Sequence, residues 1–137
     1  MAIRLAEAGD IPALITVRAS VSENRLRRLV IGSADYTPYV ADGRCWVWVE
    51  QGAVTGFSAI EADGASLWAL FVLPEAEGAG IGRALLDMAI TAARGRGVAA
   101  IELTTEARSR AEAFYRRYGF DASAPDAADE VRMRFRL

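Results

Sequence analysis

The stretch from Ser66 to Arg94 restricts the fold more than any other. Ser66 to Val72 is almost wholly apolar. Pro74 interrupts it, and glycines stand at 78, 80 and 82. Ile81, Leu85, Leu86, Ala89, Ile90 and Ala93 then recur at helical spacing. A short apolar run cut by proline reads as a strand, and one without polar alternation is expected centrally in a sheet, covered on both faces. The glycine-rich turn therefore joins a strand directly to an amphipathic helix, predicted from about Gly82 to Arg94. Gly95 and Gly97 stop that helix, and Val98 to Leu103 reads as the next strand. Strand–helix–strand of this length predicts a right-handed parallel crossover.

The rest of the chain frames this unit. Ile3 to Leu5 reads as a first strand. Asp10 is placed to cap a helix that has Pro12 in its first turn and carries Ile11, Leu14, Ile15 and Val17. Ser22 marks a second helix with Leu26, Leu29 and Val30, and Thr37-Pro38 the start of a further helical turn. Arg44 to Glu50 alternates, with Trp46 and Trp48 on one face and Val47 and Val49 on the other. Gln51-Gly52 reads as a turn, Val54 to Glu61 as the return strand, and Asp63-Gly64 as a second turn. Three antiparallel neighbours in a row are the simplest topology. Ser109 caps a last helix that runs to Tyr118 and ends at Gly119. From Glu130 to Leu137, Val131, Met133, Phe135 and Leu137 alternate with Arg132, Arg134 and Arg136, as in a strand with one solvated face. The order predicts an α/β (α+β) fold over residues 1–137 as a single domain. Its sheet is mixed and mostly antiparallel, with a central parallel β-α-β unit and helices on both faces.

Composition removes whole classes of chemistry. With 137 residues, 53% hydrophobic and a net charge of −2, the chain has the size and apolar content of one core. Its apolar runs are far short of the ~20 residues a membrane span needs. No signal-peptide pattern opens the sequence, so a cytoplasmic location is expected. No basic patch points to nucleic acid. There is no histidine, which excludes Ser-His-Asp triads and His-containing metal sites. Every basic residue is arginine, which excludes Schiff-base chemistry and the P-loop lysine. Cys45 is the single cysteine, and its place beside Trp46 reads as a buried small hydrophobe. Catalysis is left to carboxylates, tyrosine, hydroxyls, arginine, backbone groups or a bound cofactor.

The glycine turn is suited to an anion. Glycines let several N–H groups converge on one concavity and let a ligand approach where a Cβ would stand. The helix N-terminus adds unpaired donors and about half a positive charge. Together these make a phosphate or diphosphate site that needs no lysine. The plainer reading of the glycines is a tight turn and close helix packing. A dinucleotide site is a third reading. The G-x-G-x-x-G spacing fails, since Arg83 or Leu85 holds the third position, although Glu102 stands where a ribose-binding acid could sit.

Two stretches resemble the GCN5-related N-acetyltransferases (GNAT family). The first family motif reads V-x-P-x-x-[QR]-G-x-G-[IVA]-G-x-x-L, and Val72, Pro74, Gly78, Gly80, Gly82 and Leu85 fall in place. The second reads A-x-x-F-Y-x-x-x-G-F, matched from Ala111 through Phe114 and Tyr115 to Gly119 and Phe120. The likeness is close over about residues 44–120 and looser over the rest. It implies a GNAT-like fold and transfer of acetyl from acetyl-CoA to a primary amine by direct attack. It also implies that strands 66–72 and 98–103 splay apart. Backbone groups of Phe71 and Val72 would then pair with the pantetheine arm. Amides of Gly78, Ala79, Gly80, Ile81, Gly82 and Arg83 would hold the diphosphate, and Arg83, Arg108 or Arg110 would meet the 3′-phosphate. Tyr115 takes the place of the family's general acid. A phenol with pKa about 10 suits protonation of a departing thiolate. By spacing alone, Tyr115 reads as a packed aromatic on a helix, like its neighbour Phe114. A backbone N–H near Leu70 or Phe71 would polarise the thioester carbonyl.

The sequence departs from the family at two points. Glu77 stands where the family often has Gln or Arg, and Arg108 where it often has Asn. Glu61 and Glu23 are the candidate bases for the amine. Asn24, Arg25, Tyr36, Tyr39, Trp46, Trp48 and Phe57 are candidates for the acceptor side, as pocket wall or as core. The acceptor is a small-molecule or peptide amine of unspecified identity, and a homodimer is implied by the resemblance alone. The competing expectation is a non-catalytic acyl-CoA-binding or regulatory domain on the same fold.

Overall fold

The computed structural model describes residues 2–21 and 32–137. The second helix expected from Ser22, and the candidates Glu23, Asn24 and Arg25, lie outside the described residues. In chain order the elements are β1 (Ile3–Leu5), α1 (Ile11–Ser20), α2 (Ser33–Ala41), β2 (Cys45–Glu50), β3 (Ala53–Ile60), β4 (Leu67–Val72), α3 (Ile81–Gly95), β5 (Ala100–Glu106), α4 (Arg110–Tyr118), β6 (Asp121–Ala122) and β7 (Glu130–Arg136). β1 to β4 form an antiparallel sheet in sequence order, and β5-β7-β6 form a second antiparallel sheet.

The alternation in β2 divides the core as expected. Val47 packs with Phe57, Ala59 and Ala69 of the sheet, with Ile11, Leu14 and Val17 of α1 and with Tyr36 of α2. Trp46 packs on the other face with α3, Ile101, Tyr115, Phe120, Val131 and Met133. Helices thus cover both faces. α3 buries Ile81, Leu85, Leu86, Ala89, Ile90 and Ala93 along one stripe. Burial of each large apolar side chain there is worth about 1.5–3 kcal/mol, which far exceeds any helix-propensity term. Ser58 of β3 is buried, and its hydroxyl donates to the Leu85 carbonyl at 3.0 Å. That bond fixes α3 on the sheet.

Three local expectations are corrected. Asp10 does not cap α1 with its side chain. A 3-10 turn over Ala8–Asp10 precedes the helix, so the carboxylate accepts from the Glu7 N–H at 2.7 Å and from Arg4 at 2.8 Å. α2 begins at Ser33, well before Thr37-Pro38, because the Asp35 carboxylate takes the Gly32 N–H at 2.8 Å and closes the first turn there. β4 is packed on both faces but is not central, since it ends its four-stranded ladder. Only Ala69 of that strand is fully buried, and the others are partly exposed. β6 was not legible, since two residues carry no period.

Candidate active site

The site begins where the two sheets meet. Between β4 and β5 there is a single parallel bridge, Ser66 to Glu102, with the Glu102 N–H on the Ala65 carbonyl at 2.9 Å. Past that point, among the described residues, β4 ladders only with β3 and β5 only with β7. The remainder of β4 therefore presents a free main-chain edge.

The register says which groups line that edge. Ile60 pairs with Leu67 while Ala59 pairs with Ala69, so Trp68 is the extra residue of a β-bulge. Beyond the bulge, the Leu73 N–H donates to the Thr55 carbonyl at 2.8 Å, and Phe71 stands opposite Phe57. Antiparallel alternation then turns the N–H and C=O of Phe71 toward β3, and those of Leu70 and Val72 toward the free edge. Of the two residues expected to pair with a ligand, Val72 faces the gap. Phe71 is spent on the sheet, and Leu70 takes its place.

The glycine turn follows at the end of β4. Pro74–Ala76 form a 3-10 turn, and Gly78 and Gly80 have φ of +87° and +82°. A Cβ at either would meet nothing within 4 Å, so both face open space. Gly82 is different. A Cβ there would lie at ordinary contact distance, 3.5 Å from Phe114 and 3.8 Å from Val72, so this position abuts α4 and not open space. None of the N–H groups of residues 78 to 83 is taken by another described residue, and the first bond of α3 runs from Ala84 to the Gly80 carbonyl at 3.1 Å. A run of unpaired amides at the start of a fifteen-residue helix gives a concentrated positive potential. Three requirements of a diphosphate are met: donors, open space and positive sign.

α4 closes the site from the side. Ser109 caps it, accepting from the Glu112 N–H at 3.1 Å, and Gly119 ends it. Tyr115 is buried among Phe114 and Phe120, with ring centroids 5.2 and 5.3 Å away. It shares its apolar cluster with Leu70, Val72 and Leu103. Its hydroxyl makes no hydrogen bond with a described residue, and burial pushes the phenol above its usual range. It therefore stays protonated and keeps a proton to give.

The arginines divide. Arg108 has φ +62°, its side chain pairs with Asp129, and its N–H donates to Glu112 at 2.7 Å, so it is tied toward β7. Arg83 lies over the Tyr118 ring at 5.2 Å, on the outer side of α3. Arg110 pairs with Glu77 and so reaches the glycine turn. Of the three, Arg110 is next to the unpaired amides, and it also neutralises the out-of-pattern Glu77.

The opposite face of β4 carries an aromatic stack. Tyr39 lies flat on Trp68, with centroids 3.9 Å and planes 12° apart. The Arg18 guanidinium is 4.7 Å from Trp68 and 4.8 Å from Phe71, and Arg44 is 4.8 Å from Tyr39. Glu61 accepts from the Tyr39 hydroxyl at 3.0 and 3.1 Å, which makes it a partner of that tyrosine. Burial, then this bond, pushes Tyr39 up to about 12. Trp46 and Phe57 are buried in the two core clusters, and Trp48 is partly buried against one of them. The stack was missed because its members come from three separate elements and the turn before β2.

Residues 41–122 match the acetyltransferase (GNAT) domain model. The chain is 34% identical to serotonin N-acetyltransferase 2, chloroplastic, of Oryza sativa subsp. japonica, over 92% of this chain and 64% of that protein. It is 46% identical to peptidyl-lysine N-acetyltransferase YiaC of Escherichia coli (strain K12), over 36% of this chain and 33% of that protein. It thus spans less than two thirds of the length of these relatives. The PaiA N-acetyltransferase of Thermoplasma acidophilum, solved with coenzyme A, has the same fold. Its TM-score is 0.81 at 18% identity, covering 98% of each chain.

Proposed function

This chain belongs to the GNAT acetyltransferase family, and from that premise we propose that it transfers acetyl from acetyl-CoA to an amine. The observation that carries the reading is the set of unpaired amides at residues 78 to 83, placed beside the free edge of β4.

In this reading the amides of residues 78 to 83 bind the diphosphate, with Arg110 adding charge nearby. The pantetheine arm lies along β4 and pairs with the main chain of Val72 and Leu70 in the manner of an added strand. The Leu70 N–H donates to the thioester oxygen and stabilises the charge that develops there. A neutral amine attacks the carbonyl carbon from the α1–α2 side. A C–N bond forms, the C–S bond breaks, and the attacking nitrogen loses its proton to solvent. Tyr115 donates a proton or a hydrogen bond to the departing sulfur. The relatives are named for serotonin and for peptidyl-lysine, both amine acceptors, and this supports an amine without choosing its class.

The test is thiol release from acetyl-CoA across polyamines, arylalkylamines, amino acids, aminoglycosides and lysine peptides. Turnover with one class supports the reading. Acetyl-CoA binding with no thiol release from any class would instead make this a non-catalytic binding domain. Stabilisation by NAD in place of acetyl-CoA would overturn the cofactor assignment.

A further inference from the structure

We propose that Trp68 is a positioning residue, clamped by α1 and α2 so that the bulge in β4 presents the Leu70 and Val72 amides to the gap. The inference rests on the acetyl-transfer reading above. Its starting point is parity. At the foot of β4 the Ala65 carbonyl faces β5, and the Glu61 N–H takes the Ser66 carbonyl at 2.9 Å. Past the bulge, Leu70 and Val72 face the gap. A β-strand alternates strictly, so one extra residue exchanges which main-chain groups point to which side. Without that residue, Ala69 and Phe71 would face the gap, and Leu70 would pair with β3. The bulge thus decides which amide meets a thioester.

A bulge is locally weak, since its extra residue is left out of the ladder. Here the extra residue is the one held hardest by its side chain. Tyr39 fills one face of the indole at 3.9 Å, which leaves the other face to Arg18 at 4.7 Å. Tyr36 meets the ring edge-on at 5.2 Å and 78°. Arg44 backs Tyr39 at 4.8 Å and is itself fixed by the Ile60 carbonyl at 2.7 Å, one residue from the bulge on β3. Two helices therefore grip a single ring. A slip of the register would pull that ring out of its stack.

The experiment compares Trp68→Leu with Trp68→Phe and Tyr39→Leu. For Trp68→Leu the expected result is a fall in kcat of at least about tenfold, because a displacement of about 1 Å is enough to misplace a reacting group. KM for acetyl-CoA should rise by less than kcat falls, since the pantetheine pairing at Leu70 and Val72 is disturbed while the amides of residues 78 to 83 lie beyond the bulge. Trp68→Phe, whose flat ring still fits between Tyr39 and Arg18, should recover most of kcat. Tyr39→Leu, which removes one layer without altering β4, should give a smaller fall of the same kind. Amide hydrogen exchange at Phe71 and Leu73, whose N–H groups face β3, should quicken in the free Trp68→Leu protein, while exchange in α3 stays unchanged. A wild-type kcat and unchanged exchange in Trp68→Leu would overturn the inference. So would equal losses in the Leu and Phe variants that follow their melting temperatures. Exchange needs no turnover. If the wild-type chain released no thiol, the acetyl-transfer reading would fall and exchange alone would decide the anchoring role.

Discussion

Phe114 of α4 closes against Gly82 of α3, so that a Cβ at residue 82 would lie 3.5 Å from the phenyl ring. That contact brings the two sequence motifs together, and it separates Gly82 from its neighbours. A distance of 3.5 Å is ordinary packing, and Gly82 has no positive φ. Gly82→Ala should therefore leave stability unchanged or raise it by up to about 1 kcal/mol, because alanine suits a helix better. Gly80 sits at φ +82°, and Gly80→Ala should cost about 1–2 kcal/mol. Urea midpoints of the two variants check the contrast.

Tyr115→Phe should separate catalysis from packing. Its hydroxyl has no partner among the described residues, so the melting temperature should hardly move. The rate of thiol release should fall by about a hundredfold if the phenol is the proton donor. Coenzyme A affinity, measured by calorimetry, should stay the same. Because burial raises its pKa, Tyr115 should not produce a falling alkaline limb in the rate profile below about pH 10.

The pair between Glu77 and Arg110 makes a charge prediction at the glycine turn. Glu77→Gln removes an anion beside the proposed diphosphate and should tighten coenzyme A binding by about two- to fivefold. Arg110→Gln should weaken it by a similar factor, in keeping with an exposed pair worth at most about 1 kcal/mol. Both effects should shrink at high salt. Titration calorimetry at two ionic strengths reads them.

Alkaline titration should single out two half-buried phenols. Tyr39 and Tyr118 are pushed up to about 12, each by burial first and then by a carboxylate partner, Glu61 or Asp87. A raised folded pKa means that the native state holds the proton more tightly than the unfolded chain. Their contribution is therefore complete below the unfolded tyrosine pKa of about 10 and is lost as the pH rises from there toward about 12. Phenolate absorbance should lag behind that of the unfolded chain over this window, and the unfolding free energy should fall across it.

Much of this architecture is local and was legible in the residues. Alternation gave β2 and β7, helical spacing gave α3, and Ser109 with Gly119 gave both ends of α4. Asp10 misled because a cap is read from the residue before a helix, while its carboxylate was claimed by Arg4 and by an earlier turn. Phe71 misled because parity along β4 depends on a bulge, and no residue type encodes a bulge on its own. Arg108 misled because one residue of positive φ turned it to Asp129 and left Arg110 at the loop.

By itself the sequence determined the chemistry within reach. Without histidine or lysine, and with glycines at the head of a helix, it offered backbone amides and a tyrosine. Those properties belong to residue type and short-range spacing, which hold before the chain folds. Only the tertiary structure decided that β4 and β5 part after one bridge, that Leu70 rather than Phe71 faces the gap, and that Trp68 sits between Tyr39 and Arg18. Each of these depends on groups distant along the chain. Their meeting is set by how two sheets and two helices share a core, which no local pattern records.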